Sequence, residues 1–184
     1  KQIQLSKILY PGDSKIDVTY YGLDIKITTS PNYLTGRVII DAKADTSSVS
    51  TCFLDLRSFL IVDSILINGS ITTFTHTNNI INITLDQTYN EGDPFTLGVP
   101  SGTNFGGFDF STHSGIPIIS TLSEAYSGPY WWPQKDTPAD KADSADIWIT
   151  VADNLTPVSN GTLESITNNG DGTHTYHWKS SYSI

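Results

Sequence analysis

The chain has 184 residues, with 19 acidic against 10 basic side chains and a formal net charge of −9. That length supports one domain with a real core, and the acidic balance excludes a nucleic-acid backbone as partner, because phosphates demand a positive patch. No run approaches the roughly 18 apolar residues of a membrane span, and the single cysteine, Cys52, excludes an intrachain disulfide and reads as a small buried hydrophobe.

Along the chain, "LDIKIT" (23–28) alternates apolar and polar residues, the period-2 signature of a half-buried strand. "SPN" at 30 marks a turn, "TCFLDLR" (51–57) alternates again, and "NG" at 68, "EGD" at 91 and "SG" at 101 are further turn signals. Residues 100–117 are the loosest part and predict an irregular edge hairpin ahead of a long functional loop. "DTPADKAD" (136–143) predicts one short helical turn, with Thr137 as cap and Pro138 at the first helical position. "ADIWITV" (145–151) and "THTYHWK" (173–179) close the series as strands, separated by "NG" at 160 and "NNGDG" at 168. Short strands with turns at this spacing imply an all-β antiparallel sandwich or barrel.

Few residues offer chemistry. Of the histidines His76, His113, His174 and His177, only the last two lie close in sequence, and residues three apart in a strand point to opposite faces, so they cannot chelate one ion. Asp136, Asp140, Asp143 and Asp146 lack calcium-loop spacing and read as a solvated acidic turn. Asp171 reads as a turn residue. Trp131 and Trp132 read as packing side chains that plug the end of a sandwich, ahead of a sugar-stacking platform. The N-x-[ST] triplets at Asn68, Asn82, Asn154 and Asn160 carry no weight in a chain so rich in Asn, Ser and Thr.

Taken together, Glu124, then Trp132-Pro133-Gln134-Lys135-Asp136-Thr137-Pro138, a strand around Ile147, Trp148 and Ile149, and Ser159-Asn160-Gly161 resemble the N-terminal domain of the aminopeptidase N family of zinc metallo-aminopeptidases. Pro129 and Gln134 depart from it, standing where the family often has arginine and cysteine. The resemblance implies a saddle-like antiparallel or mixed β-sandwich over residues 1–184. It implies docking on a catalytic domain that carries the zinc, with no cofactor in this segment. Glu124 becomes the implied substrate-binding residue, holding the peptide's free α-amino group through a charge-assisted hydrogen bond.

The absence of methionine, even at position 1, reads as a mature or excised piece, and the H-E-x-x-H segment of the family does not occur in it. The expectation is a non-catalytic domain of a secreted or periplasmic zinc aminopeptidase. In isolation it should hold no zinc, hydrolyse nothing and self-associate through uncovered surface. The alternative is a stand-alone extracellular binding or adhesion module, for carbohydrate if Trp131 and Trp132 form its platform.

Overall fold

A computed structural model describes residues 12–102, 107–123 and 126–181. It is all-β. Among the described residues thirteen strands form three sheets: β1 Ile16–Thr29, β2 Asn32–Ala44, β3 Val49–Asp55, β4 Ile65–Ile67, β5 Ser70–Thr72, β6 Phe74–Thr77, β7 Ile80–Tyr89, β8 Pro94–Gly102, β9 Phe108–His113, β10 Ile116–Thr121, β11 Ser144–Ala152, β12 Thr162–Asn168 and β13 Thr173–Ser180. The large sheet runs β12-β13-β11-β1-β2-β8-β4-β5, beside a three-stranded β3-β7-β6 sheet and the β9-β10 hairpin. The pairings are antiparallel except β1 with β11, which run parallel with Tyr20 opposite Ser144 and Lys26 opposite Thr150.

The alternation read from sequence decides which side of β1 is buried. Ile16 and Val18 point inward, a bulge at Thr19 adds one residue, and the inward set then becomes Tyr21, Leu23, Ile25 and Ile27. On that face Leu23, Val38, Ile40 and Leu97 meet Leu54, Ile81 and Ile83 of the three-stranded sheet, making the main core. Further along, Ile25, Ile27, Ile149 and Val151 meet Phe108, Phe110 and Ile119 of the hairpin in a second cluster. Both small sheets therefore cover one face of the large one. Cys52 is buried in the main core, and that burial pushes its thiol up to about 12.

Three local expectations are corrected. Residues 136–143 form no helical turn, because Asp143 N–H donates to Thr19 O at 2.9 Å and ties the segment to β1; Thr137 Oγ1 accepts only the Ala139 N–H, at 3.3 Å. The one helical turn among the described residues is 3-10, at Gly128–Tyr130. The Ser-Gly pair at 101 lies inside β8, whereas the hairpin turn of that region falls at Ser114 and Gly115, both with positive φ. Ser159-Asn160-Gly161 joins no paired neighbours, since β12 pairs with β13 and residues 153–161 carry the chain past β13 to the sheet edge. Gly161 is required there: its φ is +95° and a Cβ would sit 2.1 Å from Lys179 O.

Candidate functional site

The segment from Tyr126 to Asp140 crosses the junction of the two cores. Trp131 and Ile147 touch both clusters. Trp132 meets the buried Tyr21 ring edge-on at 4.7 Å, Trp131 lies 5.7 Å from Trp132, and Phe108 meets Trp131 edge-on at 5.1 Å. The two tryptophans thus fill the seam between the hairpin and the main core. Trp132 Nε1 is itself buried and has no hydrogen-bond partner among the described residues. Rings packed in this way offer no open sugar platform.

The backbone that follows is tied down residue by residue. Asp55 and Gln134 exchange both backbone hydrogen bonds, at 2.8 and 3.1 Å, an isolated bridge between β3 and the segment. Asp136 N–H donates to Asp55 Oδ2 at 3.0 Å, and Gln134 Nε2 donates to Asp136 Oδ1 at 2.9 Å. Lys135 N–H donates to the Tyr21 hydroxyl at 3.0 Å, while its Nζ donates to Ile16 O and pairs with Asp140. One turn earlier, Arg57 N–H donates to Pro129 O at 2.9 Å and its guanidinium lies 4.2 Å over the Tyr130 ring. Gly128 is packed so closely that a Cβ would fall 2.3–2.5 Å from the Gln134 side-chain amide.

Three of the four carboxylates read from sequence as one solvated turn are separately engaged, which corrects that reading, while Asp143 is exposed. Asp136 caps into the bridge, Asp140 meets Lys135, and Asp146 is buried and accepts from His177 Nε2 at 2.5 Å. Burial raises the carboxyl pKa of Asp55 and of Asp136, opposed by the hydrogen bonds that each accepts. Asp17 is raised by burial first and by Asp140 second, while Lys135 pulls it down. Burial, then the Asp146 charge, lifts Tyr20 to about 12.

The opposite side of the hairpin is bare. Along β10 the inward positions are Pro117 and Ile119, yet the outward Ile116 and Ile118 are also apolar, and Leu122 and Tyr126 continue the exposed set. A polar outer face is normal for such a strand, and here it is instead an exposed apolar patch.

A profile of the peptidase M1 N-terminal domain matches residues 17–184, more than half the chain. The chain belongs to that family. In fold, this M1 N-terminal domain is similar to a variant M1 zinc metallopeptidase from Deinococcus radiodurans bound to a Tyr-Ser-Ala substrate, at 21% identity and a TM-score of 0.78, covering 95% of this chain and 41% of that one. A two-domain M1 zinc metallopeptidase variant bound to L-tryptophan is similar at 21% identity and a TM-score of 0.79, over 95% and 41% of the two chains. A further M1 zinc metallopeptidase structure from Deinococcus radiodurans follows at 20% identity and 0.77, over 92% and 40%. The chain therefore spans about two-fifths of the length of these solved relatives. No curated protein sequence matches it.

Glu124, the implied amine anchor, lies outside the described residues, as does Ala125; its neighbours Ser123 and Tyr126 lie within them. Trp131 Nε1 donates to Ser123 Oγ at 3.0 Å and Ser127 N–H donates to Ser123 O at 3.2 Å. The histidines stay apart, as their strand positions require. His174 Nε2 contacts Leu155 O at 2.6 Å, His177 faces Asp146 on the other side of the sheet, and His76 contacts Leu56 O at 3.0 Å. Among the described residues no group of three His, Cys, Asp or Glu side chains converges to hold a metal. Sequence reasoning missed Asp55 and Ser123. Asp55 sits on an ordinary alternating strand 79 positions before Gln134, and nothing in its surroundings in the chain signals the bridge.

Proposed function

We propose that this M1 N-terminal domain acts within a longer zinc aminopeptidase: it docks on the peptidase domain and presents Glu124 to the free α-amino group of the substrate. The observation that carries the reading is the clasp around Trp131–Asp136, which ties the chain leaving Glu124 to β1 and β3. A rigid support of this kind suits a residue that must meet a ligand from a fixed height. The exposed apolar face of β10, with Ile116 and Ile118 and continuing to Leu122, supports docking. Zinc belongs to the peptidase domain in this reading, where it supplies the Lewis acid for peptide hydrolysis; Glu124 supplies a carboxylate for the substrate ammonium. A secreted or periplasmic setting belongs to the same proposal.

The test is Glu124→Ala in the full chain that carries the peptidase domain. A hydrogen bond to a charged group is worth roughly 1.5–3 kcal/mol, so kcat/KM for peptides with a free amino terminus should fall about ten- to a hundredfold. Zinc content and Tm should be unchanged. Equal relative efficiency on free and blocked substrates before and after the substitution would remove the anchor role.

A further inference from the structure

We infer that Asn160-Gly161 is a self-modification site, at which the folded chain converts its own asparagine to aspartate and isoaspartate with water as the co-reactant. Three Asn-Gly pairs occur in the sequence, beginning at Asn68, Asn160 and Asn169. In such a pair the backbone nitrogen of the glycine can attack the asparagine Cγ. The N–Cγ bond forms, the Cγ–Nδ2 bond breaks, and Nδ2 leaves as ammonia, taking the glycine N–H proton. Water then opens the succinimide ring. Addition at Cγ gives aspartate, whereas addition at the main-chain carbonyl gives isoaspartate, with the backbone rerouted through the side chain.

The three pairs stand in different settings. Asn68 Nδ2 donates to the Tyr89 hydroxyl at 2.7 Å and to Asp86 Oδ2 at 3.2 Å, and Asn68 Oδ1 accepts the Thr96 N–H at 3.1 Å. Its amide group is held at both ends. Asn169 Nδ2 donates to Thr173 Oγ1 at 2.9 Å and to Thr175 Oγ1 at 3.1 Å, and the nucleophile of that pair is engaged as well, because Gly170 N–H donates to Asn168 Oδ1 at 2.8 Å. Asn160 is exposed, and neither its side chain nor the Gly161 N–H has a hydrogen-bond partner among the described residues. Both residues line a cleft with Thr162, Glu164 and Lys179, which gives the side-chain amide room to turn onto the backbone. The fold also forbids the simplest protection, a bulkier residue after the asparagine. A Cβ on Gly161 would fall 2.1 Å from Lys179 O, and the residue sits at a φ of +95°. An unhindered amide must therefore stay where β12 comes alongside β13. The same contact gives the modification a consequence. Isoaspartate adds one methylene to the backbone immediately before Gly161, where the approach to Lys179 leaves no space, and β12 is an edge strand paired with β13 alone. Conversion at Asn160 loosens the start of β12 and opens that edge of the large sheet.

The experiment uses the full chain, kept native at mildly alkaline pH in water labelled with heavy oxygen, and sampled over weeks. Peptide mass spectrometry with fragmentation that distinguishes isoaspartate reads each pair, and released ammonia is measured alongside. Asn160 should convert, with isoaspartate as the larger product and one labelled oxygen gained per event. Asn68 and Asn169 should convert at least about tenfold more slowly, since two or more ordinary hydrogen bonds must open first. In urea the three rates should come together. Asn160→Gln, whose longer side chain closes the ring more slowly, should suppress the ammonia. Hydrogen exchange should quicken in β12 of the converted chain and stay slow in freshly prepared Asn160→Asp, which carries the charge without the added methylene. A native chain that keeps its amide at Asn160 while the urea-unfolded chain loses it would overturn the inference, as would equal rates at the three pairs in the native chain. Unchanged exchange in β12 after full conversion would overturn the opening of the edge.

Discussion

Lys135→Met removes the buried ammonium of the clasp and keeps its apolar stem. The Lys135 side chain is 8% exposed and its ammonium serves both Ile16 O and Asp140, so the change strands a carboxylate and a carbonyl together. Breaking a buried pair costs about 3–5 kcal/mol. The Asp140 side chain is 26% exposed, and water screens part of that loss, which leaves about 2–3 kcal/mol at neutral pH. For a domain of this size that is a fall in Tm of about 4–12 °C. The deficit should depend on pH in a stated direction. Asp17 has a raised folded-state pKa, caused first by burial and next by Asp140, and Lys135 is the group that holds it down. Without Lys135 that pKa rises further. A raised folded-state pKa contributes stability that is fully present below the unfolded value of 3.8 and is lost as pH rises through the folded value. The variant should therefore be weakest near pH 7 and regain part of its loss on acidification toward 3.8. Urea unfolding of parent and variant at several pH values reads this directly. A deficit below about 0.5 kcal/mol, or one that grows as pH falls, would refute the reasoning.

Three further outcomes are expected. Gly128→Ala places a methyl group against the Gln134 amide and should cost about 1–3 kcal/mol in chemical denaturation; an unchanged midpoint would show that Gln134 moves aside freely. Asp55→Asn keeps an oxygen for the Asp136 N–H and removes a carboxylate whose pKa burial has raised, so the variant should match or exceed the parent at pH 7 and lose any advantage as pH falls toward 3.8; a gain that persists at low pH would contradict the sign. The isolated domain should form concentration-dependent dimers in sedimentation, and replacing Ile118 and Leu122 with serine should weaken them; undiminished association would move the sticky surface elsewhere.

The strands around Leu23–Thr28, Thr51–Asp55 and Ala145–Val151 were legible because each has one face on the core and so alternates. Turn chemistry located Asn68-Gly69 and Asn169-Gly170 for an equally local reason: Asn68, Gly69 and Gly170 occupy positive φ. The parallel pairing of β1 with β11 left no such mark, since no turn joins the two strands. The engaged carboxylates were misread for the same reason. Asp146 finds His177 on the neighbouring strand β13 and Asp136 finds Asp55 on β3, so each partner lies far away in the chain. Glu124 enters only through the family resemblance, because a single glutamate has no sequence pattern of its own.

The place of β1 has a consequence for how the chain is made. It takes β2 on one side early in synthesis, but its other neighbour is β11, with Ser144 opposite Tyr20, 144 − 20 = 124 residues later. At about 5–20 residues per second the ribosome needs roughly 6–25 s to deliver that partner. Throughout that interval Ile25 and Ile27 of β1 lack Ile149 and Val151, and the edge of β1 away from β2 stays unpaired and open to any passing chain. A holding chaperone should therefore raise the yield of the nascent domain until β11 emerges, and that yield should track translation speed between residues 29 and 144.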